Sequence, residues 1–129
     1  MLNIEEKNIF ELPLNQYVST YSTGMKKKLA LMAILFQENR YIILDEPFNG
    51  VDIHSNIIIV DIIRKLKDLG KTVIISSHIL STLRDTCDEI FLLSNGLIIK
   101  KITPENYDSF EMEMKEFTIG NKIEKLDLQ

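Results

Sequence analysis

Residues 41–52 read YIILDEPFNGVD, a continuous apolar run that ends in two acids and a proline. A short apolar run of this kind is typical of a strand buried on both faces, which usually belongs to a parallel sheet. Pro47 cannot continue the strand, and Asn49-Gly50 favours a turn. The stretch therefore predicts a buried strand over residues 41–44 that ends at an acid pair, Asp45-Glu46.

The segment before this strand predicts a helix. Ser22 and Thr23 both suit the N-cap position, and Gly24 follows them. Residues 25–38 continue as a helix that is apolar on most faces from residue 29 to residue 36. A helix of that composition is expected to be central and buried.

The segments after the strand alternate in the same way. Residues 55–69 carry isoleucine and leucine at helical spacing, and Gly70 suits the C-terminal cap. Residues 72–77 predict a second buried strand, which His78 follows directly. The crossover between the two strands is expected to be right-handed.

A hairpin is predicted after a further short helix. Asn95-Gly96 is a strong signal for a two-residue turn, here between residues 89–94 and 97–101. The order of elements predicts an α/β layered fold: a mostly parallel sheet, flanking helices and a C-terminal β-hairpin.

The two ends of the chain are less regular. Residues 1–20 predict a short helix stopped by Pro13 and followed by a loop. Periodicity fades from residue 103 onward, and residues 121–129 are expected to be loose.

The composition is that of one small folded domain. The chain has 129 residues, of which 45% are hydrophobic and 26% charged. A net charge of −4 argues against nucleic acid as a partner, since Lys26–Lys28 is the only dense basic run. The single cysteine, Cys87, excludes an internal disulfide framework and lies at core spacing in its helix. Charged residues break every apolar run well before about 18 residues, so no membrane span is predicted.

Chemically active side chains follow both predicted strands. Asp45 and Glu46 follow the first strand and His78 follows the second. The carboxyl ends of parallel strands meet at one edge of the sheet, where ligands bind. A carboxylate beside Mg²⁺ and another beside a water would serve phosphoryl transfer. Solvated acids and a structural histidine are the plainer interpretation of each residue taken alone.

A second candidate site precedes the first helix. The hydroxyl of Ser22, the bare backbone of Gly24 and a helix N-terminus together suit an anion, although an ordinary helix cap has the same residues. Asp52, taken alone, could be an ordinary acidic residue in the turn that Asn49-Gly50 begins. The lysine run is either a solvated face or close to phosphates.

Together these segments resemble the ordered motif set of ABC-family ATPases. The motifs are Tyr21-Ser22-Thr23-Gly24-Met25, residues 41–47, Asn49-Gly50-Val51-Asp52 and His78, and the resemblance covers about residues 17–101. Residues 44–52 are especially specific, because they join the Walker B strand to the D-loop without a gap. A signature that starts with Tyr and ends with Met resembles the ATP-binding subunits of bacterial ABC-2 exporters. The fold implied is a partial P-loop NTPase-like fold.

The resemblance implies a role for each motif residue. Asp45 would bind Mg²⁺, Glu46 would be the general base, and His78 would be the switch histidine at the γ-phosphate of ATP. Ser22 and Gly24 would contact the γ-phosphate of an ATP held by the opposite subunit.

Two further residues complete this cofactor-binding set. Thr23 stands where the commonest family pattern has another glycine. Asp52 would belong to the D-loop that crosses the dimer interface.

The resemblance also divides the chain. Residues 1–20 would be the remnant of a helical subdomain. Residues 21–102 would hold the signature helix, Walker B, D-loop and switch histidine, and residues 103–129 would be a C-terminal extension.

The P-loop pattern G-x-x-x-x-G-K-[ST] does not occur in these 129 residues. Gly70-Lys71-Thr72 matches the end of this pattern, but the first glycine would have to lie at residue 65, which is Lys65. The tripeptide also follows a predicted helix and precedes a predicted strand. A phosphate cradle needs the reverse order. We therefore expect this chain alone neither to bind ATP tightly nor to hydrolyse it. Without the strand that precedes a P-loop, the edges of the strands at residues 73–76 and 89–94 would be unpaired. We expect these two strands to pair with each other, or strands to be exchanged between two copies of the chain.

The function implied is that of a partial ATP-binding and ATP-hydrolysing subunit of an ABC transporter, with ATP and Mg²⁺ as cofactors. The implied partners are a second ABC ATPase subunit, as a homo- or heterodimer, and a transmembrane permease, with no nucleic acid. The implied location is the cytoplasmic face of the cell membrane. An alternative is a non-catalytic regulatory module that pairs with an intact subunit. A DNA-repair ATPase is disfavoured by the acidic charge and the lack of heptads in residues 1–20.

Overall fold

The computed structural model describes residues 4–116 and 125–126. The chain divides into two compact units, Met1–Leu80 and Ser81–Gln129. No helix of the described ranges is long and apolar enough to cross a bilayer.

The first unit is a strand–helix–strand arrangement preceded by a helix. Its elements are α1 (Thr23–Phe36), β1 (Tyr41–Asp45), α2 (Ile53–Asp68) and β2 (Thr72–Ser76), with a 3₁₀ turn at Val18–Thr20. The two strands are parallel, in a register that runs from Tyr41 opposite Thr72 to Asp45 opposite Ser76. The predicted α/β class is confirmed, because both strands and both helices form and the sheet is parallel.

The core of this unit lies between the sheet, α1 and α2. Ile42 and Leu44 point into it from β1, and the turn after β1 adds Phe48. The other buried members come from the two helices: Leu31, Ile59, Ile63 and Leu66.

Burial of the strands on both faces is a wrong prediction. Side chains alternate along β1, so Ile42 and Leu44 are buried while Tyr41 is 68% and Ile43 72% exposed. Ile74 of β2 is exposed on the same side. Helices of this unit cover one face of the sheet only, and the run of apolar residues could not show which faces are covered.

Helix α1 begins as predicted and is less buried than predicted. The Ser22 hydroxyl accepts the Met25 N–H at 3.2 Å, which makes Ser22 the N-cap. Only Leu31 and Met32 of this helix are buried, so its other apolar side chains are partly open to solvent.

Helix α2 begins two residues before the predicted start. Asp52 is its N-cap and accepts the Ser55 N–H at 3.1 Å. Its C-terminal end is as predicted. Gly70 has φ 76°, in the left-handed region that favours glycine, and its N–H donates to the Lys67 carbonyl at 2.9 Å.

The short helix predicted within residues 1–20 does not form in residues 4–20. Turns and the 3₁₀ turn take its place. The Asn8 side chain donates to the Leu12 carbonyl at 2.8 Å and accepts the Leu12 N–H at 3.0 Å. Such local side-chain bonds compete with helical hydrogen bonds. Glu11 has φ 54°, which also ends any helix there.

The second unit contains the predicted hairpin. Its strands are β3 (Ile90–Ser94) and β4 (Leu97–Ile102), preceded by α3 (Leu80–Thr86). Asn95 and Gly96 both have positive φ, 50° and 77°, as a tight hairpin turn requires. Among the described residues each sheet has two strands, so the expected pairing of residues 89–94 with 73–76 is not formed.

A helix that the sequence pattern did not reveal follows the hairpin. After a 3₁₀ turn at Pro104–Asn106, α4 spans Tyr107–Lys115. Tyr107 and Phe110 are buried, and Arg84 lies over the Tyr107 ring at 4.7 Å and pairs with Asp108 at 3.0 Å. Most of residues 121–129, expected to be loose, lie outside the described residues.

Candidate functional site

The carboxyl ends of β1 and β2 lie side by side. The register places Asp45 opposite Ser76. The Ser76 hydroxyl donates to the Asp45 carboxylate, and the Glu46 N–H donates to the Ser76 carbonyl at 3.0 Å, with the Ser76 hydroxyl oxygen at 3.1 Å. Ser76 therefore fixes both the side chain of one acid and the backbone of the next.

The Glu46 and His78 side chains are in direct contact. Nδ1 of His78 lies 3.1 Å from each carboxylate oxygen of Glu46. The parallel-strand argument predicted this proximity. The backbone of Glu46 is left-handed, at φ 48°, which is uncommon for a residue with a side chain. Strain of this kind persists only where neighbouring contacts hold it, as Ser76 does here.

The N-terminal end of α1 contacts the loop after β1. An added Cβ on Gly24 would lie 2.9 Å from the Gly50 carbonyl oxygen, so the glycine allows the start of α1 to approach the Asn49-Gly50 turn. In the described contacts, the side chains of Ser22 and Thr23 make no hydrogen bond to Asp45, Glu46 or His78. The structure thus joins the strand-end residues to one another by hydrogen bonds, and the described hydrogen bonds do not include the Ser22 and Thr23 hydroxyls in that group.

Asp52 is held from two sides. Its carboxylate accepts from Nζ of Lys28 at 2.9 Å and from the Ser55 hydroxyl at 2.7 Å. The Lys28 hydrogen bond, followed by those from Ser55, holds the pKa of the Asp52 carboxyl well below its usual range.

Three residues that contact this site were missed in the sequence. Ser76 ends the second strand directly opposite Asp45, and only the strand register, which the sequence does not display, reveals that contact. Lys27 and Lys28 contact residues 46–52 from α1, and only their helical spacing from Gly24 was a signal.

The Gly70-Lys71-Thr72 segment is not a phosphate cradle. Gly70 follows α2, and Thr72 opens β2, so the order is helix then strand. Nζ of Lys71 donates to the carbonyls of Glu38 and Asn39, at 3.1 and 3.0 Å. The lysine therefore closes the α1–β1 connection.

Comparison with known proteins finds sequences and structures that this chain resembles. The family model described as ABC transporter matches residues 1–49. The chain is 35% identical over 106 residues to the manganese transport system ATP-binding protein MntA of Synechocystis. It is 32% identical over 111 residues to the ABC transporter ATP-binding protein NatA of Bacillus subtilis. Over most of its length the chain is thus similar to ATP-binding proteins of ABC transporters.

The chain spans less than half the length of the curated relatives it matches. The MntA alignment covers 82% of the chain and 40% of the relative, and the NatA alignment covers 85% and 45%. The alignment with the Nod factor export ATP-binding protein I of Rhizobium etli, 32% identical, covers 74% of the chain and 30% of that relative.

Solved structures of ATP-binding subunits also match this chain. An ATP-binding subunit of an ABC transporter matches with a TM-score of 0.65 and 29% identity, covering 73% of the chain and 40% of that subunit. The dimeric ATP-binding cassette MJ0796, bound to ADP and Pi, matches with a TM-score of 0.69 over 78% of the chain and 45% of that cassette. Its 21% identity supports the fold alone.

The oxygen atoms at the two strand ends suit part of the coordination shell of an Mg²⁺ ion. Asp45 and Ser76 offer the oxygen donors that Mg²⁺ prefers. Within residues 4–116 and 125–126 no three acidic, histidine or cysteine side chains converge on one point. Mg²⁺ here would therefore take its other ligands from phosphate and water.

Proposed function

We propose that this chain supplies the hydrolytic and signature motifs of an ATP-hydrolysing ABC transporter subunit and does not hydrolyse ATP by itself. The observation that carries the proposal is the contact between Glu46 and His78, at 3.1 Å, beside Asp45 at the carboxyl edge of a parallel sheet. Sequence similarity to ATP-binding proteins of ABC transporters supports it.

Each strand-end residue has a distinct task in this proposal. Glu46 accepts a proton from, or orients, the attacking water. His78 holds that carboxylate in place and offers its other ring nitrogen to a phosphate oxygen. Asp45 and Ser76 would hold Mg²⁺, which neutralises charge on the phosphates when it is bound.

The signature segment serves the partner subunit in this proposal. Ser22, Thr23 and Gly24 lie at the N-terminus of α1, where free backbone N–H groups and the helix dipole favour an anion. That anion would be the γ-phosphate of an ATP bound by a second ABC ATPase subunit. Asp52 would lie in the loop at the interface between the two subunits.

The assembly would pair two such subunits with a transmembrane permease at the cytoplasmic face of the membrane. The relatives' names support transport, since they include a manganese transport protein and a Nod factor export protein. A solved match, cbiO1 of Clostridium perfringens, is described as part of the ABC transporter complex cbiONQ. Export is the direction we favour, from Tyr21 and Met25 at the ends of the signature.

A fusion tests this function. The P-loop-bearing half of an ABC ATP-binding subunit is joined to this chain, and ATP hydrolysis is measured with circular dichroism as a check of folding. We expect hydrolysis in the fusion and a loss of roughly 100-fold or more on Glu46→Gln, since general base catalysis contributes that much. Glu38→Gln is the matched control, since Glu38 is a second acid with positive φ that precedes β1, whereas Glu46 follows it.

Two outcomes would count against the proposal. Equal rates for the Glu46→Gln and Glu38→Gln fusions would remove Glu46 from the chemistry. If instead the unfused chain inhibits an intact subunit, and the Glu46→Gln chain inhibits equally well, the regulatory alternative is the better description.

A further inference from the structure

We propose that Lys27 and Lys28 are positioning residues that fasten the signature helix to the loop from Glu46 to Asp52. The proposal rests on the proposed function for its catalytic consequence. The fastening itself is a property of this chain and can be measured without any nucleotide.

Lys27 bridges the turn that follows the acid pair. Its Nζ donates to the Glu46 carbonyl at 2.7 Å and to the Asn49 carbonyl at 2.8 Å. The Asn49 N–H also donates to the Glu46 carbonyl, at 3.2 Å. One ammonium therefore binds both ends of the turn, and hydrogen bonds from a charged donor are stronger than neutral ones.

Lys28 holds the far end of the same loop. Its Nζ lies 2.9 Å from Oδ1 of Asp52, and its side chain is 15% exposed whereas that of Asp52 is 56% exposed. Asp52 is also the N-cap of α2. The Lys28–Asp52 pair thus connects the start of α2 to α1.

The three contact positions share one helix face. Gly24, Lys27 and Lys28 are spaced i, i+3 and i+4, which places them side by side on α1. Gly24 lies against the Gly50 carbonyl, between the two lysine contacts. Lys26 is exposed, and a lysine at i+2 does not face the same side.

The arrangement has a consequence for the general base. Glu46 is left-handed, its N–H is held by Ser76, and its carbonyl is held by Lys27. The two peptide units that flank the Glu46 Cα are thus each held by a hydrogen bond, which fixes the direction in which its side chain leaves the backbone. Movement of the signature helix would therefore be transmitted to the Glu46 carboxylate through Lys27.

Hydrogen exchange on the purified 129-residue chain tests the fastening directly. We expect Lys27→Met and Lys28→Met to speed amide exchange across residues 46–56 on the order of 10-fold, as loss of a charged hydrogen bond would do. Lys26→Met should leave that exchange unchanged, and Lys27→Arg should stay close to the original chain because it keeps a donor. Should Lys27→Met fail to fold, the comparison of Lys28→Met with Lys26→Met carries the test.

The outcomes separate the two proposals. Equal exchange in the Lys26→Met and Lys28→Met chains, or an increase spread evenly over α1, α2 and both strands of the first unit, overturns the fastening. In the fusion described above, Lys27→Met should lower kcat roughly 10- to 100-fold with KM for ATP within about twofold, as misplacement of a catalytic group does. If exchange responds as expected while Glu46→Gln leaves hydrolysis unchanged, the proposed function fails and the fastening stands.

Discussion

Gly24 occupies a position where two opposing effects can be compared. Alanine is favoured over glycine inside a helix by about 1 kcal/mol. The added Cβ, however, would meet the Gly50 carbonyl oxygen at 2.9 Å, and a backbone atom cannot swing aside as a side chain can. Overpacking of this kind costs about 1–3 kcal/mol, so the clash should win.

We therefore expect Gly24→Ala to lower the free energy of unfolding by about 1 kcal/mol, measured by urea denaturation. Thr23→Ala, at the exposed first position of α1, should change it by less than about 0.5 kcal/mol. If the Gly24→Ala chain is as stable as the original, the loop that holds Gly50 can shift away from α1 without cost, and the prediction is wrong.

Asp52 gives a prediction with a definite pH window. Its folded-state pKa lies below its ordinary value of 3.8 because Lys28 and Ser55 donate to the carboxylate. A depressed pKa contributes stability above pH 3.8 that is lost as the pH falls through the folded-state value.

The difference in unfolding free energy between the original chain and Asp52→Asn should therefore be constant near neutral pH and should close as the solution is acidified below pH 3.8. Asparagine is as good an N-cap as aspartate, so the helix start is kept. Lys28→Met should flatten the acid dependence in the same way. A gap that persists unchanged in acid would contradict the assignment.

At the scale of elements, β1 has one covered and one open face. Ile42 is buried among α1 and α2, whereas Ile43 is 72% exposed. We expect Ile42→Ala to cost about 2–5 kcal/mol of unfolding free energy, because it leaves a cavity. Ile43→Ala, the same change one residue along, should cost less than about 1 kcal/mol. Equal losses, measured by urea denaturation, would mean that the outer face is covered in solution.

Elements with explicit start and stop signals were predictable from the sequence. Ser22 caps α1, Gly70 ends α2 and Asn95-Gly96 turns the hairpin, each through local chemistry that the sequence displays. Helix α4 was missed, because a nine-residue element anchored by Tyr107 and Phe110 is too short to show a period. One-sided burial was also missed, since it depends on which elements cover a strand.

The candidate site was predictable to the same extent. Strand ends meet in a parallel sheet, so the proximity of Glu46 and His78 followed from the order of elements. Ser76, Lys27 and Lys28 did not follow, because their contacts depend on strand register and on how α1 docks on a distant loop.

At the scale of the whole molecule, the chain carries strand-end acids without a sequence motif for a phosphate cradle. In P-loop ATPases the backbone of that cradle and its lysine hold the phosphates. We therefore expect the purified 129-residue chain to show no micromolar affinity for ATP with Mg²⁺, measured by isothermal titration calorimetry. The fusion that carries a P-loop is the control, and it should bind. Micromolar binding by the chain alone would contradict this expectation.

The contacts of Gly24, Lys27 and Lys28 also limit which insertions and deletions the chain can tolerate. They join the loop from Glu46 to Asp52 to one face of α1 at several points. The length of that loop is therefore constrained, as well as the identity of its residues. A single inserted codon there would move Asp52 away from Lys28 or Gly50 away from Gly24. The Asn95-Gly96 turn has no such partner among the contacts of its glycine, so length variation should accumulate there first.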